Sequence, residues 1–266
     1  MNAHLPEAVV DRAGRVTRYG SYAELPEPIG GDALLLMESD PAVLHGAWSI
    51  EGGYAFSSRD AYGGDPCWLN VVGSPEAAAI LAELALAELG GKCGGITVPR
   101  GVEIAHELAR QEPGQWDLMC CEAEPPTQPG EDRVARIEDL AAVQAFLDRV
   151  NPDHSVRADH PEVERWLGVA DEETGAPLAI GAFTRRPHGI GYLASIATAP
   201  EARGRGLGAA VSAALTRHAF AAGDAVCTLA HFHPNEPARR LYLRLGYRTT
   251  HQLQSTFFAR QESRTA

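Results

Sequence analysis

Lysine is almost missing from this chain of 266 residues: Lys92 is the only one, and nearly all the cationic charge is arginine, a bias of genome composition more than of function. No apolar run approaches the roughly 18 residues that would span a bilayer, which excludes a membrane helix. The first residues, Met1 to Glu7, carry neither a basic n-region nor an apolar h-region, so they do not read as a secretory leader. Cysteines number five, an odd count, and none has metal-ligand spacing. Cys120 and Cys121 fall in an apolar strand-like run where neighbours alternate faces, so buried reduced thiols are expected. That fits a cytoplasmic protein. No segment repeats with a period of 20–50 residues, which excludes a solenoid. A Gly-Lys-Ser/Thr loop is also absent, which excludes a Walker nucleotide site.

Apolar residues make up 45% of the chain, enough for sizeable cores. The length suits one large or two small domains. Charge is divided unevenly. Residues 1–130 hold 19 acidic and 7 basic side chains, a net of −12, and residues 131–266 hold 16 of each. An acidic surface repels nucleic acid and draws a cationic or amine substrate, or it serves solubility alone.

One stretch stands out: Arg203-Gly204-Arg205-Gly206-Leu207-Gly208. It follows an apolar run, Tyr192 to Thr198, and a proline, Pro200, and it opens a helical run from Leu207 to Phe220. Strand, glycine-rich turn and helix N-terminus together make an anion cradle, because backbone N–H groups converge where the helix dipole favours negative charge. A pyrophosphate is the expected ligand. The spacing G-x-G-x-G departs from the dinucleotide pattern G-x-G-x-x-G. Asp224 lies about 20 residues on, but in a turn before a strand and not at a strand's end.

A second block follows. Val226 to His233 reads as a strand, Pro234-Asn235-Glu236-Pro237 breaks it, and a helix carries Ala238, Leu241, Tyr242 and Leu245 before stopping at Gly246. The loop Arg-Gly-x-Gly-x-Gly after Ile-Ala-Thr-x-Pro resembles the acetyl-CoA loop of the GNAT (GCN5-related N-acetyltransferase) superfamily. The string Asn235-x-x-Ala238-x-x-x-Tyr242-x-x-x-Gly246-Tyr247 resembles that superfamily's second signature. The resemblance covers roughly residues 131–260. Its wording is closest to the glycine-N-acyltransferase-like branch.

Organisation along the chain agrees with two halves. Glu124-Pro125-Pro126-Thr127-Gln128-Pro129-Gly130 disfavours both helix and strand and reads as a linker over 124–130. The second half, 131–266, is expected to hold a strand at Arg133–Ile137 and a helix at Glu138–Val150. A short helix at His160–Leu167 should follow, then strands at Leu178–Phe183 and Ile190–Thr198. Two closing strands, Arg248–Thr250 and Gln252–Ala259, are expected as an edge hairpin. The first half, 1–123, shows a strand at Cys67–Val72 and a helix from Glu76 to Leu89 with Ser74 as N-cap and Pro75 at N1. Strands at Gly95–Val98 and Trp116–Cys121 flank a helix at Val102–Arg110. The order matches the second half, but Gly73-Ser74-Pro75 lacks the loop glycines and the Val102–Arg110 helix lacks a tyrosine. The expectation is an α/β protein of tandem GNAT-like domains, each a mixed, largely antiparallel sheet flanked by helices. The first is a degenerate copy or an unrelated accessory domain.

The resemblance implies transfer of an acetyl group from acetyl-CoA to an amine of a small molecule, by direct attack. It implies that backbone N–H groups of Ile196, Ala197 and Thr198 hold the thioester and pantetheine. Arg203, Gly204, Arg205, Gly206, Leu207 and Gly208 would take the pyrophosphate, and Asn235 and Ala238 would line the channel. Tyr242 would give its phenolic proton to the leaving thiolate. For the base, His231 and His233 share a strand face and have a suitable ordinary pKa. The preceding strand offers Tyr192 and Ser195 and no carboxylate. Asp153, His154 and His160 lack the fixed spacing of a zinc site, and no metal is expected. Trp48, Tyr54, Phe56, Tyr62 and Trp68 either wall an acceptor pocket or pack a core. The rival readings are a protein or peptide N-terminal acetyltransferase and a catalytically silent acyl-CoA-binding protein. A monomer or homodimer, without membrane or nucleic-acid partner, is expected.

Overall fold

A computed structural model describes residues 16–42, 44–58, 67–104 and 112–258. The expected helix at Val102–Arg110 and Tyr62 lie wholly or mainly outside these residues. The described strands are β1 (Thr17–Tyr19), β2 (Ala47–Ile50), β3 (Gly53–Ser58), β4 (Cys67–Gly73), β5 (Cys93–Pro99), β6 (Gly114–Cys121), β7 (Ala135–Ile137), β8 (Val163–Ala170), β9 (Pro177–Arg185), β10 (Gly191–Thr198), β11 (Cys227–Phe232) and β12 (Arg248–Phe257). The described α-helices are α1 (Ala33–Glu38), α2 (Pro75–Leu89), α3 (Leu140–Val150), α4 (Leu207–Ala221) and α5 (Glu236–Arg244). The chain divides into two compact units, Met1–Asp117 with His251–Ala266, and Leu118–Thr250. The proline-rich segment 124–130 falls inside the second.

In the first unit the strand order is β1-β2-β3-β4-β5-β12. All neighbours are antiparallel except β4 and β5, which are parallel. A parallel pair needs a crossover, and α2 supplies it. Ser74 caps this helix by accepting the Ala77 N–H at 3.3 Å, and Pro75 sits in its first turn, as its sequence predicts. One face of α2 buries Ala78, Leu81, Leu84 and Ala85 against Leu69, Val71, Ile96 and Val98 of the sheet. Each such leucine contributes about 1.5–3 kcal/mol by burial. Trp48 joins this core, and Tyr54 and Phe56 are buried too.

In the second unit the order is β6-β11-β10-β9-β8-β7. Strands β7 to β10 run antiparallel, and β10 and β11 are parallel around α4. The helix lies close on the sheet because Gly181 of β9 has no side chain. A Cβ there would come within 2.8 Å of Leu215 and 3.2 Å of Val211.

Two expectations are corrected. The predicted helix at His160–Leu167 is a turn leading into β8, which pairs with β7 on one side and β9 on the other. Two ladders outweigh a short helical spacing. The predicted edge hairpin is one strand, β12. No turn residue interrupts Arg248–Phe257, and its second half pairs with β5 from Leu253↔Pro99 to Phe257↔Gly95.

Candidate active site

The site is built where β10 and β11 part. Their register pairs run Gly191↔Cys227, Tyr192↔Thr228 and Leu193↔Leu229 and stop there, although β10 continues to Thr198 and β11 to Phe232. The last residues of each strand therefore open a wedge between the two backbones. On its other side β10 carries a bulge. Ala194 pairs with Ala182, but Ala197 pairs with Ile180, so three steps of β10 oppose two of β9. A bulge leaves one residue outside the ladder and bends its strand. Ser195, inside it, has φ +49° and is the only non-glycine residue with positive φ among the described residues. Ile196, Ala197 and Thr198 follow it into the wedge.

The glycine loop closes the wide end. Gly204 and Gly206 have φ +76° and +79°, a left-handed conformation that an L side chain resists. Beyond them α4 begins with Gly206 as N-cap and no side-chain cap. Each of the other four described α-helices is capped by a side chain: Asp32, Ser74, Asp139 and Asn235 accept from Leu34, Ala77, Ala142 and Ala238. The first N–H groups of α4 thus lack the cap that every other described helix provides. A Cβ at Gly204 or Gly206 would meet nothing within 4 Å, so the cradle opens outward. Arg203 reaches back to the Thr198 carbonyl through Nε at 3.4 Å. Arg205 is exposed. Gly208 lets the helix settle on Thr198, whose Oγ1 would lie 3.1 Å from a Cβ there. These residues fit a pyrophosphate: open space, donors in a row and two nearby guanidiniums.

Helix α5 follows the end of β11, and its Leu241 lies beside Gly208 of α4. Asn235 caps it and is exposed, and Ala238 is half-buried. Tyr242 is 7% exposed, and its ring lies 6.2 Å from that of His231 and 5.9 Å from that of Tyr247. Burial pushes the Tyr242 phenol above its ordinary pKa, and the Tyr192 phenol adds to the effect. It therefore holds its proton at neutral pH.

The two histidines separate. His231 is 7% exposed and faces Tyr242. Its Nδ1 lies 2.9 Å from the Phe232 carbonyl, a contact that assigns the proton to Nδ1 and makes Nε2 the basic nitrogen. His233 stands in the exposed turn beyond the end of β11. Ser195 is occupied otherwise: its Oγ accepts the Val156 N–H at 3.0 Å and donates to the Val156 carbonyl at 3.1 Å. With both functions used, it has no proton to lend to a reaction. Tyr192 is buried beneath the Arg186 guanidinium, 4.5 Å from its ring centroid, and Arg186 pairs with Glu162 at 2.8 Å. The Ser195 contact and the Arg186 stack carry no signal in the sequence, because both join residues from separate elements. His154 is turned to Asn151 O and Gln144, at 3.0 and 3.2 Å.

A groove of about 560 Å³ lies along β7, the end of β8 and the turn into β9. Its charged residues include two ion pairs, Arg133 with Glu172 and Arg136 with Glu138. The wedge has the better chemistry.

Residues 131–247 match the model of the acetyltransferase (GNAT) family, a segment somewhat under half of the chain. A putative GNAT-family acetyltransferase from Novosphingobium aromaticivorans is 22% identical, with a TM-score of 0.52 over 77% of this chain and 87% of its own. A GCN5-related N-acetyltransferase from Sphaerobacter thermophilus is 15% identical, with a TM-score of 0.51 over 80% of each chain. At these identities the structures speak for the fold. No curated protein matches the sequence. The family match thus rests on residues 131–247, and the solved structures share the mixed α/β fold. No described helix is long and apolar enough to cross a membrane.

Proposed function

We propose that the protein is an acyl-CoA-dependent N-acetyltransferase that moves an acetyl group from acetyl-CoA to a small-molecule amine by direct transfer. The observation that carries this reading is the wedge between β10 and β11, ending on a helix N-terminus without a cap. The diphosphate would lie on the loop from Arg203 to Gly208, and the pantetheine would run between the strands beside Ile196–Thr198. The amine, once neutral, attacks the thioester carbonyl carbon. The C–S bond breaks as the tetrahedral centre collapses, and the thiolate takes the Tyr242 proton. His231 Nε2, or water, accepts the proton that the amine loses. No covalent enzyme intermediate is needed. The likeness to the glycine-N-acyltransferase-like branch makes longer acyl chains part of the test.

The first unit supports the tandem reading. It repeats the strand order of the second, including a parallel pair joined by a 15-residue helix. We read it as a copy without a nucleotide loop. Titration calorimetry with acetyl-CoA, free CoA and longer acyl-CoAs tests the reading. Micromolar binding to the wild type, lost in Gly206→Glu, is expected. The variant adds a carboxylate and strained backbone at the anion seat. Absence of binding to the wild type overturns the enzyme reading.

A further inference from the structure

Ser195 combines three features that a strand residue rarely shares. Its backbone is left-handed, it sits in the bulge that shapes the wedge, and it is 8% exposed with its hydroxyl in reciprocal hydrogen bonds to one distant residue. That residue, Val156, belongs to the loop 151–162 between α3 and β8. The same loop is tied again two residues on. Ala158 donates its N–H to Gln144 Oε1 at 3.0 Å, and its carbonyl accepts from Trp166 Nε1 at 3.0 Å. Val156 and Ala158 are both 5% exposed, while Ser155, Arg157 and Asp159 between and beside them face solvent. The loop is thus pinned at alternate residues and presents the others outward.

We propose that Ser195 is a positioning residue that locks the loop 151–162 to the bulged strand, so that the bulge sets where the loop stands beside the wedge. The proposal rests on the acyl-transfer reading for its catalytic consequence but not for the lock itself. A left-handed serine costs backbone energy that a glycine would not incur. What the side chain adds at this position is the pair of bonds to Val156. Neither bond carries a proton in the reaction; they fix geometry.

The test uses the full chain and two variants. Ser195→Gly keeps the left-handed backbone easy and deletes both bonds. Ser195→Ala deletes the same bonds and keeps a Cβ. Amide hydrogen exchange is followed over 152–159, with and without acetyl-CoA, and acceptor KM and kcat are measured on any amine that the wild type acetylates. In both variants the Val156 region should exchange about five- to thirtyfold faster, the range that loss of one to two hydrogen bonds of ordinary net strength gives. Acceptor KM should rise by about the same factor, with acetyl-CoA affinity little changed. Wild-type exchange over 152–159 in Ser195→Gly overturns the proposal, as does a loss of acetyl-CoA affinity in step with acceptor KM. A wild type that binds no acetyl-CoA sinks the acyl-transfer reading instead, and the exchange comparison still decides the lock.

Discussion

Tyr242→Phe separates chemistry from packing, because it removes one O–H and little else. Among the described residues the Tyr242 hydroxyl makes no hydrogen bond, so the substitution deletes none. The ring contacts at 6.2 Å to His231 and 5.9 Å to Tyr247 stay in place. A typical intramolecular hydrogen bond is worth about 1 kcal/mol net, so the variant should lose less than that in stability. As a general acid, the same hydroxyl contributes about 10² to 10⁴ in rate. That is about 3–5 kcal/mol of barrier at about 1.4 kcal/mol per decade. The two effects differ enough to be told apart. Release of CoA, followed with a thiol reagent at saturating acetyl-CoA and amine, gives kcat, and calorimetry gives the acetyl-CoA affinity. We expect kcat to fall by at least about 100-fold with affinity retained. Burial raises the phenol's pKa above its ordinary value. The wild-type rate should therefore not decline through deprotonation of Tyr242 below about pH 10, the ordinary range of tyrosine. A variant that keeps kcat within a few-fold would make Tyr242 a packing residue and refute the assignment.

Two further outcomes concern stability and the thiols. Burial pushes the Asp32 carboxyl up, but the pairing with His251 at 3.2 Å and the Leu34 N–H outweigh it and hold the pKa below the ordinary aspartate value. A depressed folded pKa stabilises above the unfolded value, about 3.9, and that contribution fades as pH falls through the folded value. Asp32→Asn, which can still cap α1, should lose about 1 kcal/mol at pH 7 and nothing at the acid end. Denaturation curves at the two pH values check it, and an equal loss at both would point to the cap. All five cysteines are free and buried, and burial pushes the Cys227 thiol up to about 12. The native protein should react with a thiol reagent only as fast as it opens, and all five thiols should titrate in denaturant. Prompt labelling of Cys227 in the native state would contradict its burial.

Much of the fold was legible where local chemistry decides it. Ser74 and Pro75 mark the start of α2, and Gly206 marks the start of α4, because caps act within one turn of chain. The strands β9 and β10 and both helices around the wedge also follow from apolar runs bounded by glycine and proline. Reading failed where partners lie far off in sequence. β12 looked like an edge hairpin because its residues alternate, but β5, about 150 residues earlier, pairs with it and keeps it straight. β8 looked helical over His160–Leu167 until β7 and β9 claimed it. The strands β1 to β3 went unread, although Glu51-Gly52 between β2 and β3 is a turn signal. At the site, Tyr242 and the glycine loop were legible from motif spacing. The left-handed Ser195 was not, since its φ is imposed by the bulge and the bond partner Val156 together.

The two parallel strand pairs show what a nucleotide site requires beyond a fold. α2 and α4 are both 15 residues long and both cross between parallel neighbours. At α2 the first-turn donors are spent: Pro75 has no N–H, Ser74 Oγ takes that of Ala77, and Glu76 places a negative charge in the first turn. An anion arriving there would meet an occupied donor and a like charge. At α4 there is no proline, no capping side chain and no acidic residue in the first turn, and Arg203 and Arg205 stand beside it. The macrodipole is the same for both helices, about half a charge at the N-terminus. Three residues of sequence therefore separate a helix end that satisfies itself from one whose first-turn donors have no capping side chain. The proposed nucleotide site therefore falls in the second unit even though both units share one strand order.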